Sequence, residues 1–468
     1  VTASFRARLP RDHDEWAAVG IVLAVTTLVV SEYSTVAGGL ALLAVLCTIP
    51  SARRGLQHPM GRFAAATVIL WPLYGALIGS LPTLTEPGQV LDWLDGDARL
   101  LYPFTFLVGM AGLSRREPWL LGLRVAWGLV VISTAISLAL MPFLQEVKVF
   151  ELLEGFTSSH HVMGALTSTG LIAMVGVRRL VPSWPVRVPG AAVLAAGLAL
   201  SGSRASMAAL AVGVAVVVAP RLQPRQVVAV AVLAGLLGAG AVAAIPRLRL
   251  TATTVLSPDF PSRALDAART VSNREAFFEL TPREIRQRFG AEAAERNIFL
   301  RIGLWSAVSR RFVDSPLLGE GAFRLNDDVT EHLGPRYLVH VGIDGVREFS
   351  DRQGHNTILH VSAETGLVGL VIFLAPFVLA WTGTTVRGGR REELDDLDRD
   401  LVWLVRGMLL AALAVGQVSE GVFSPSTGLP VAVLAIGGSA LLRRPQQSVQ
   451  AGHEDDRPIY GSPVASSD

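Results

Sequence analysis

The sequence predicts an all-α, polytopic membrane protein of about 12 transmembrane helices with one large helical extracytoplasmic loop domain. Three observations carry that prediction. Of the 468 residues 51% are hydrophobic and only 17% charged, at a mean hydropathy of +0.45, where a soluble domain carries roughly 25% charged residues. Apolar runs near the ~17–25 residues that a bilayer crossing needs recur along the chain. The arginines between those runs alternate in density from loop to loop. Other classes drop out at once. The single cysteine, Cys47, lies in an apolar run and forms no intramolecular disulfide. A net charge of +2 is too small to suggest nucleic acid as a partner. Lys148 is the only lysine, a bias expected of a GC-rich, bacterial genome.

In chain order, an Arg-bearing polar segment ends near Glu15 and leads into an apolar run without a small-residue cleavage site. It reads as a first transmembrane helix and not as a removable signal. Runs follow near 16–32, 33–50, 63–82, 99–113, 119–141, 161–177, 188–203, 205–219, 227–245, 357–383, 402–418 and 427–442. With the N-terminus cytoplasmic, the inner segments hold twenty arginines, from Arg6 to Arg457. The short outer segments hold only Arg99, Lys148 and Arg204. This is the positive-inside pattern of short loops, and it places both termini in the cytoplasm. The expected layout is spans one to nine over 1–245, a loop domain over 246–356, spans ten to twelve over 357–442 and a disordered cytoplasmic tail over 443–468. The loop holds 16 Arg against 15 Asp and Glu from 246 to 354. It is too long for a structureless connection and is expected to be helical around Arg263–Arg288 and Ala291–Phe312. The inner stretch containing Asp396 and Asp398 alternates in charge and reads as a solvated face.

Several polar residues sit where hydrocarbon is expected. Arg204 interrupts two apolar runs in Ser201-Gly-Ser-Arg-Ala-Ser206. It is either a snorkelling arginine in a tight turn or part of an anion site. In the second case its planar fork would meet phosphate oxygens, helped by the serines and the N–H groups opening span eight. Arg301 and Trp305 share a helical face with Ile298 and Ile302, and Arg310 and Arg311 follow. That stretch is either an interfacial amphipathic helix or a second anion contact. Pro316-Leu-Leu-Gly319-Glu-Gly321 is either a turn or a place where amides approach a phosphate. His355-Asn356-Thr357 opens a spanning helix on its outer side. Asn356 or Thr357 would cap that helix and leave His355, the side chain suited to proton transfer near neutral pH, at the membrane edge. His360 packs or hydrogen-bonds in the bundle, and Glu364, about two turns into the membrane, pairs there. His160-His161 lacks a ligand set for a metal. Asp95-Gly-Asp97 resembles the D-x-D of metal-dependent sugar transferases on three residues only.

Four of these stretches stand in register with a known family. Ser203-Arg-Ala205, the R-x-x-x-W of Arg301–Trp305, the P-L-L-G-x-G of Pro316–Gly321 and the H-N-T-x-L…A-E-T-G-L-x-G-L of His355–Leu370 resemble the O-antigen ligase family. That superfamily also holds O-antigen polymerases. The resemblance is densest over 301–374. It implies a GT-C-like fold and a metal-independent, inverting transfer, without cofactor, of a glycan from an undecaprenyl-diphosphate carrier to an acceptor hydroxyl. The acceptor would be lipid A core or another surface glycan, on the outer face of a bacterial inner membrane. In those terms Arg204 and Arg301, with Arg310 and Arg311 as further candidates, hold the diphosphate. His355 assists the acceptor, and Asn356, Trp305, Gly319, Gly321 and Glu364 support the site. A polymerase of the same superfamily is the alternative, and a twelve-span polysaccharide or lipid transporter a more distant one. A transporter built of two six-span halves would put its main connection between spans six and seven, inside.

Overall fold

In hydrocarbon a backbone has no outlet for its N–H and C=O groups except its own helical ladder, so the apolar runs become helices. The computed structural model describes residues 10, 12–29, 49–80, 108–113, 116–144, 148–149, 152–153, 160–181, 183–226, 246–272, 280, 282–319, 356–388 and 396–418, with isolated positions between 228 and 243. Six helices come first: α1 (His13–Val29), α2 (Pro59–Ser80), α3 (Arg116–Leu140), α4 (His160–Gly176), α5 (Trp184–Ser201) and α6 (Arg204–Val218). The loop region contributes α7 (Pro246–Val255), α8 (Phe260–Ser272), α9 (Pro282–Phe289) and α10 (Ala293–Asp314). Then come α11 (Thr357–Gly388) and α12 (Asp396–Val418). Among the described residues the departure from all-α is one antiparallel pair of two-residue strands, Lys148–Val149 with Leu152–Leu153.

The chain is a membrane protein. Among the described residues four helices are long and apolar enough to cross a bilayer: Arg116–Leu140, Trp184–Ser201, Arg204–Arg221 and Thr357–Thr384. The apolar runs near 33–50, 99–113, 227–245 and 427–442 lie wholly or largely outside the described residues. Helix α4 sits among α3, α5, α6 and α12, and α12 packs in turn on α6 and α11. Small residues let these helices close up, as membrane helices require when apolar burial itself gives no drive. A Cβ at Gly407 on α12 would lie 2.9 Å from the Gly213 carbonyl oxygen of α6. One at Gly197 on α5 would meet Thr134 of α3 and Thr167 of α4. The buried hydroxyls turn inward: Thr134 donates to the Val130 carbonyl at 2.6 Å and Thr167 to Met163 at 2.9 Å.

At one end of this bundle the first turn of α12 is clamped by charge. Asp398 pairs with Arg116 at 2.5 Å, and Asp400 pairs with Arg221 at 2.5 Å while accepting the Arg178 N–H at 3.0 Å. Asp398 is 3% exposed, so the expectation of a solvated face is wrong there. The ends of α3 and α6 bring arginines onto it that lie far away in sequence. Asp396, paired with Arg399, does face solvent.

A second core joins the loop region to the start of α11. Ala267 of α8, Leu280, Phe289 of α9, Phe299, Leu300, Leu304 and Val308 of α10, and Ala363 of α11 bury one another. Arg263 pairs with Glu295 at 2.7 Å and lies 4.4 Å over the Phe299 ring. Arg296 is buried and donates to the Gly290 carbonyl at 3.0 Å. Burial first, and then the nearby Arg286 guanidinium, pushes it below the ordinary arginine value. Helix α10 is therefore the spine of a folded unit, not an amphipathic helix laid on headgroups.

Helix α11 is not continuous. Gly366 has φ 61° and ψ −167°, a combination essentially restricted to glycine. The break frees two amides, which the turn after α10 takes up: Leu367 N–H donates to the Pro316 carbonyl at 2.9 Å and Val368 N–H to Leu317 at 3.2 Å. The freed Thr365 carbonyl accepts the Tyr74 hydroxyl of α2 at 2.8 Å. Gly319, at φ 77°, lies against the Glu364–Thr365 peptide, and Gly366 lies against Leu317–Leu318. The two glycine motifs thus interlock backbone to backbone. The sequence expectation was one uninterrupted span over 357–383. Instead a short arm, 357–365, precedes a straight run, 367–388, whose 22 residues alone reach ~33 Å, enough for the ~30 Å of hydrocarbon.

Candidate functional site

The site is built around the turn between α5 and α6. Gly202, at φ 62°, ends α5 and returns its N–H to the Ala199 carbonyl at 3.2 Å. Ser203 caps α6: its hydroxyl accepts the Ser206 N–H at 3.4 Å and meets the Ser206 hydroxyl at 2.8 Å. Ser201 donates to the Leu198 carbonyl at 2.7 Å and accepts the Ser203 N–H at 3.3 Å. All three serines are buried, and a Cβ on Gly164 of α4 would collide with them. They are engaged within the turn, and what they do is hold the α6 N-terminus still.

Arg204 is the first residue of α6, so the turn fixes where its side chain starts. Its guanidinium donates to the Thr251 hydroxyl on α7. Helix α7 packs on α10, and α10 on α11, so Arg204, Arg301 and Asn356 come from helices joined in one chain of contacts. Arg301 and Trp305 lie on α10, both partly buried, and the Trp305 Nε1 is buried without a hydrogen-bond partner among the described residues. Arg310 is exposed and Arg311 partly so, at the end of α10 that leads into the turn beside Gly366.

Asn356 is the cap of α11, as one of the two expected choices: its side-chain oxygen accepts the Leu359 N–H at 3.1 Å and its carbonyl the His360 N–H at 2.9 Å. Thr357 is buried instead, with its hydroxyl unpartnered among the described residues. His360 pairs with Glu364 at 3.2 Å along the same helix. That pair stands on the arm before the break, so Glu364 belongs to the layer shared with α10. Gly319 serves the interlock through its backbone. His355, Gly321, Asp95 and Asp97 lie outside the described residues. Among the described residues no three His, Cys, Asp or Glu side chains gather as metal ligands would.

Residues 189–374 match the O-antigen ligase family model. No curated protein matches the chain. The O-antigen ligase match begins in α5 and ends in α11, so it takes in the serine turn, Arg204, all of α10, the Pro316–Gly319 turn, Asn356 and the Gly366 break. That is the stretch over which the four motifs were read. Two residues, Thr251 and Tyr74, escaped the sequence reading, and His161 was weighed there only as part of a metal pair. His161, in the first turn of α4, places Nδ1 3.5 Å from the Ser203 hydroxyl. Thr251 receives Arg204, and Tyr74 closes the α11 break. Only Thr251 of these falls inside the O-antigen ligase match. For His161 the signal was its doublet at a span start. For Tyr74 and Thr251 there was none.

Proposed function

We propose that the protein is a glycosyltransferase of the O-antigen ligase type. It moves a glycan from an undecaprenyl-diphosphate carrier to an acceptor hydroxyl on the outer face of a bacterial inner membrane. The observation that carries this most is Arg204: an arginine at a helix N-terminus, on a buried serine turn, tied to the loop region inside the O-antigen ligase match. In this reading both termini are cytoplasmic, 246–356 is the extracytoplasmic domain, and the ionic clamp at Asp398 and Asp400 marks the inner end. From Arg221, in the 3-10 turn 219–221 that continues α6, to Arg204 the candidate span rises about 26 Å, which in this reading puts Arg204 near the outer headgroups.

Transfer breaks the bond between the anomeric carbon and the diphosphate oxygen, and the electron pair stays on that oxygen. Arg204 and Arg301, with Arg310 and Arg311 at the mouth, stabilise the charge as it grows. Guanidinium forks do this well in a poorly hydrated site and require no metal. The acceptor oxygen attacks from the opposite face, inverting the centre, and its proton passes to His355, next to the Asn356 cap. Trp305 lines the approach from α10.

The test uses purified protein, a lipid-diphosphate-linked glycan and candidate acceptors in EDTA. It compares wild type with Arg204→Ala and His355→Ala. Transfer that survives chelation and collapses in both variants is expected. Consumption of lipid A core or another surface glycan identifies a ligase, and consumption of a second lipid-linked repeat a polymerase. No transfer to any acceptor, with movement of lipid or glycan across vesicles, would replace the enzyme by a transporter.

A further inference from the structure

We propose that Tyr74 is a positioning residue for the transfer reaction. Its hydroxyl latches the break in α11 and so sets where the arm 357–365, with the Asn356 cap at its head, stands over the site. The inference rests on the transferase reading above.

Three separate stretches of chain meet at the break. The turn 316–319 supplies carbonyls for the Leu367 and Val368 amides. The carbonyl on the other side of the break, Thr365, has the Tyr74 hydroxyl at 2.8 Å, and the Leu318 carbonyl lies 3.5 Å from the same oxygen. A hydroxyl can replace one helical bond in this way, as polar side chains do in broken membrane helices. The described side chains around it are mostly apolar. Leu73 (60% exposed), Leu317 (64%), Leu367 (48%) and Val368 (42%) ring the knot with apolar side chains open to the surroundings. Apolar side chains around it make the local surface poor in groups that could take over from a missing hydroxyl.

Geometry turns this local bond into a reach. The arm's nine residues extend about 14 Å from the break to its head. A tilt of ~5° at Gly366 moves the Asn356 cap by about 1 Å. A displacement of that size is enough to misalign an attacking hydroxyl and its proton acceptor. Arg204 stands on α6, held by its own serine turn, and the arm meets α10, which carries Arg301, through Ala363 only three residues from the hinge, where the same tilt amounts to less than ~0.5 Å. The latch should thus govern the chemical step and not the binding of the donor. Tyr74 touches neither, and it comes from a helix outside the O-antigen ligase match.

The test compares full-length wild type and Tyr74→Phe in lipid nanodiscs, by steady-state transfer and by amide hydrogen exchange. Expected are a fall in kcat of roughly ten- to a hundredfold with the donor KM nearly unchanged, and faster exchange at Leu367 and Val368 with α6 amides as in wild type. The proposal is overturned if Tyr74→Phe transfers at the wild-type rate. It is equally overturned if the loss lies wholly in KM, or if exchange at Leu367 and Val368 does not change. A wild type inactive with every donor and acceptor shows up before any variant is compared, and it sinks the transferase reading itself.

Discussion

Replacing Gly366 by alanine tests whether the two glycine motifs truly interlock. At φ 61° and ψ −167° a side chain imposes a strain of about 1–3 kcal/mol. The added Cβ would also sit 2.5 Å from the Leu318 nitrogen and closer still to the Leu317 carbonyl. These are backbone atoms and cannot swing aside. Relief requires the 316–319 turn to retreat, which lengthens the bonds now made by the Leu367 and Val368 amides. Leaving even one buried donor unmet costs about 1–3 kcal/mol. The expected loss is therefore about 3 kcal/mol or more. Gly128→Ala is the matched control: it lies inside α3, and a Cβ there meets nothing within 4 Å. Alanine in a helix gains up to ~1 kcal/mol over glycine. Reversible unfolding in mixed detergent–lipid bicelles, followed by tryptophan fluorescence, should separate the two variants by about 4 kcal/mol. If Gly366→Ala is as stable as Gly128→Ala, the interlock does not exist as described.

Other outcomes follow from the same geometry. Asp400→Asn leaves Arg221 and the Arg178 amide without their carboxylate; it should cost about 3 kcal/mol in the same unfolding assay, whereas Asp396→Asn, on the exposed side, should change stability by under ~0.5 kcal/mol. Gly190→Ala drives a methyl into the Trp127 ring and should lose about 1–3 kcal/mol. Ser203→Ala removes the α6 cap and should cost about 1 kcal/mol of stability. Arg204→Lys keeps the charge but loses the planar fork. Its transfer rate should fall between those of wild type and Arg204→Ala, and a Lys variant equal to wild type would show that charge alone suffices.

Much of the helical frame could be read because each apolar run states its own fate. The starts and ends of α1, α3, α4, α5 and α6 fall within a few residues of the expected runs. The Ser203 turn and the Asn356 cap were visible too, since polar residues beside an apolar run have few other tasks. What stayed hidden depends on partners distant in the chain. Residues 357–383 read as one span because hydropathy is high on both sides of Gly366, and glycine is common within membrane helices. Only the turn at 316–319 and Tyr74 give that glycine its meaning. Asp398 looked solvated because its neighbours alternate in charge, while Arg116, which buries it, is 282 positions earlier. The roles of Arg204 and Arg301 came from motif resemblance. The structure adds how Arg204 is held, on a turn whose serines bond to one another and to the backbone.

The ionic clamp also constrains how the molecule comes to be made. Arg116, Arg178 and Arg221 emerge from the ribosome long before Asp398 and Asp400, which meet them from the twelfth helix described. During that interval the arginine-bearing ends of α3, α4 and α6 have no carboxylate to settle against, and their helices lack the small-residue face of α12. Sequence separations this large slow assembly, and partly assembled bundles expose the surfaces that chaperones and proteases recognise. Helix α12 therefore acts as a closing piece.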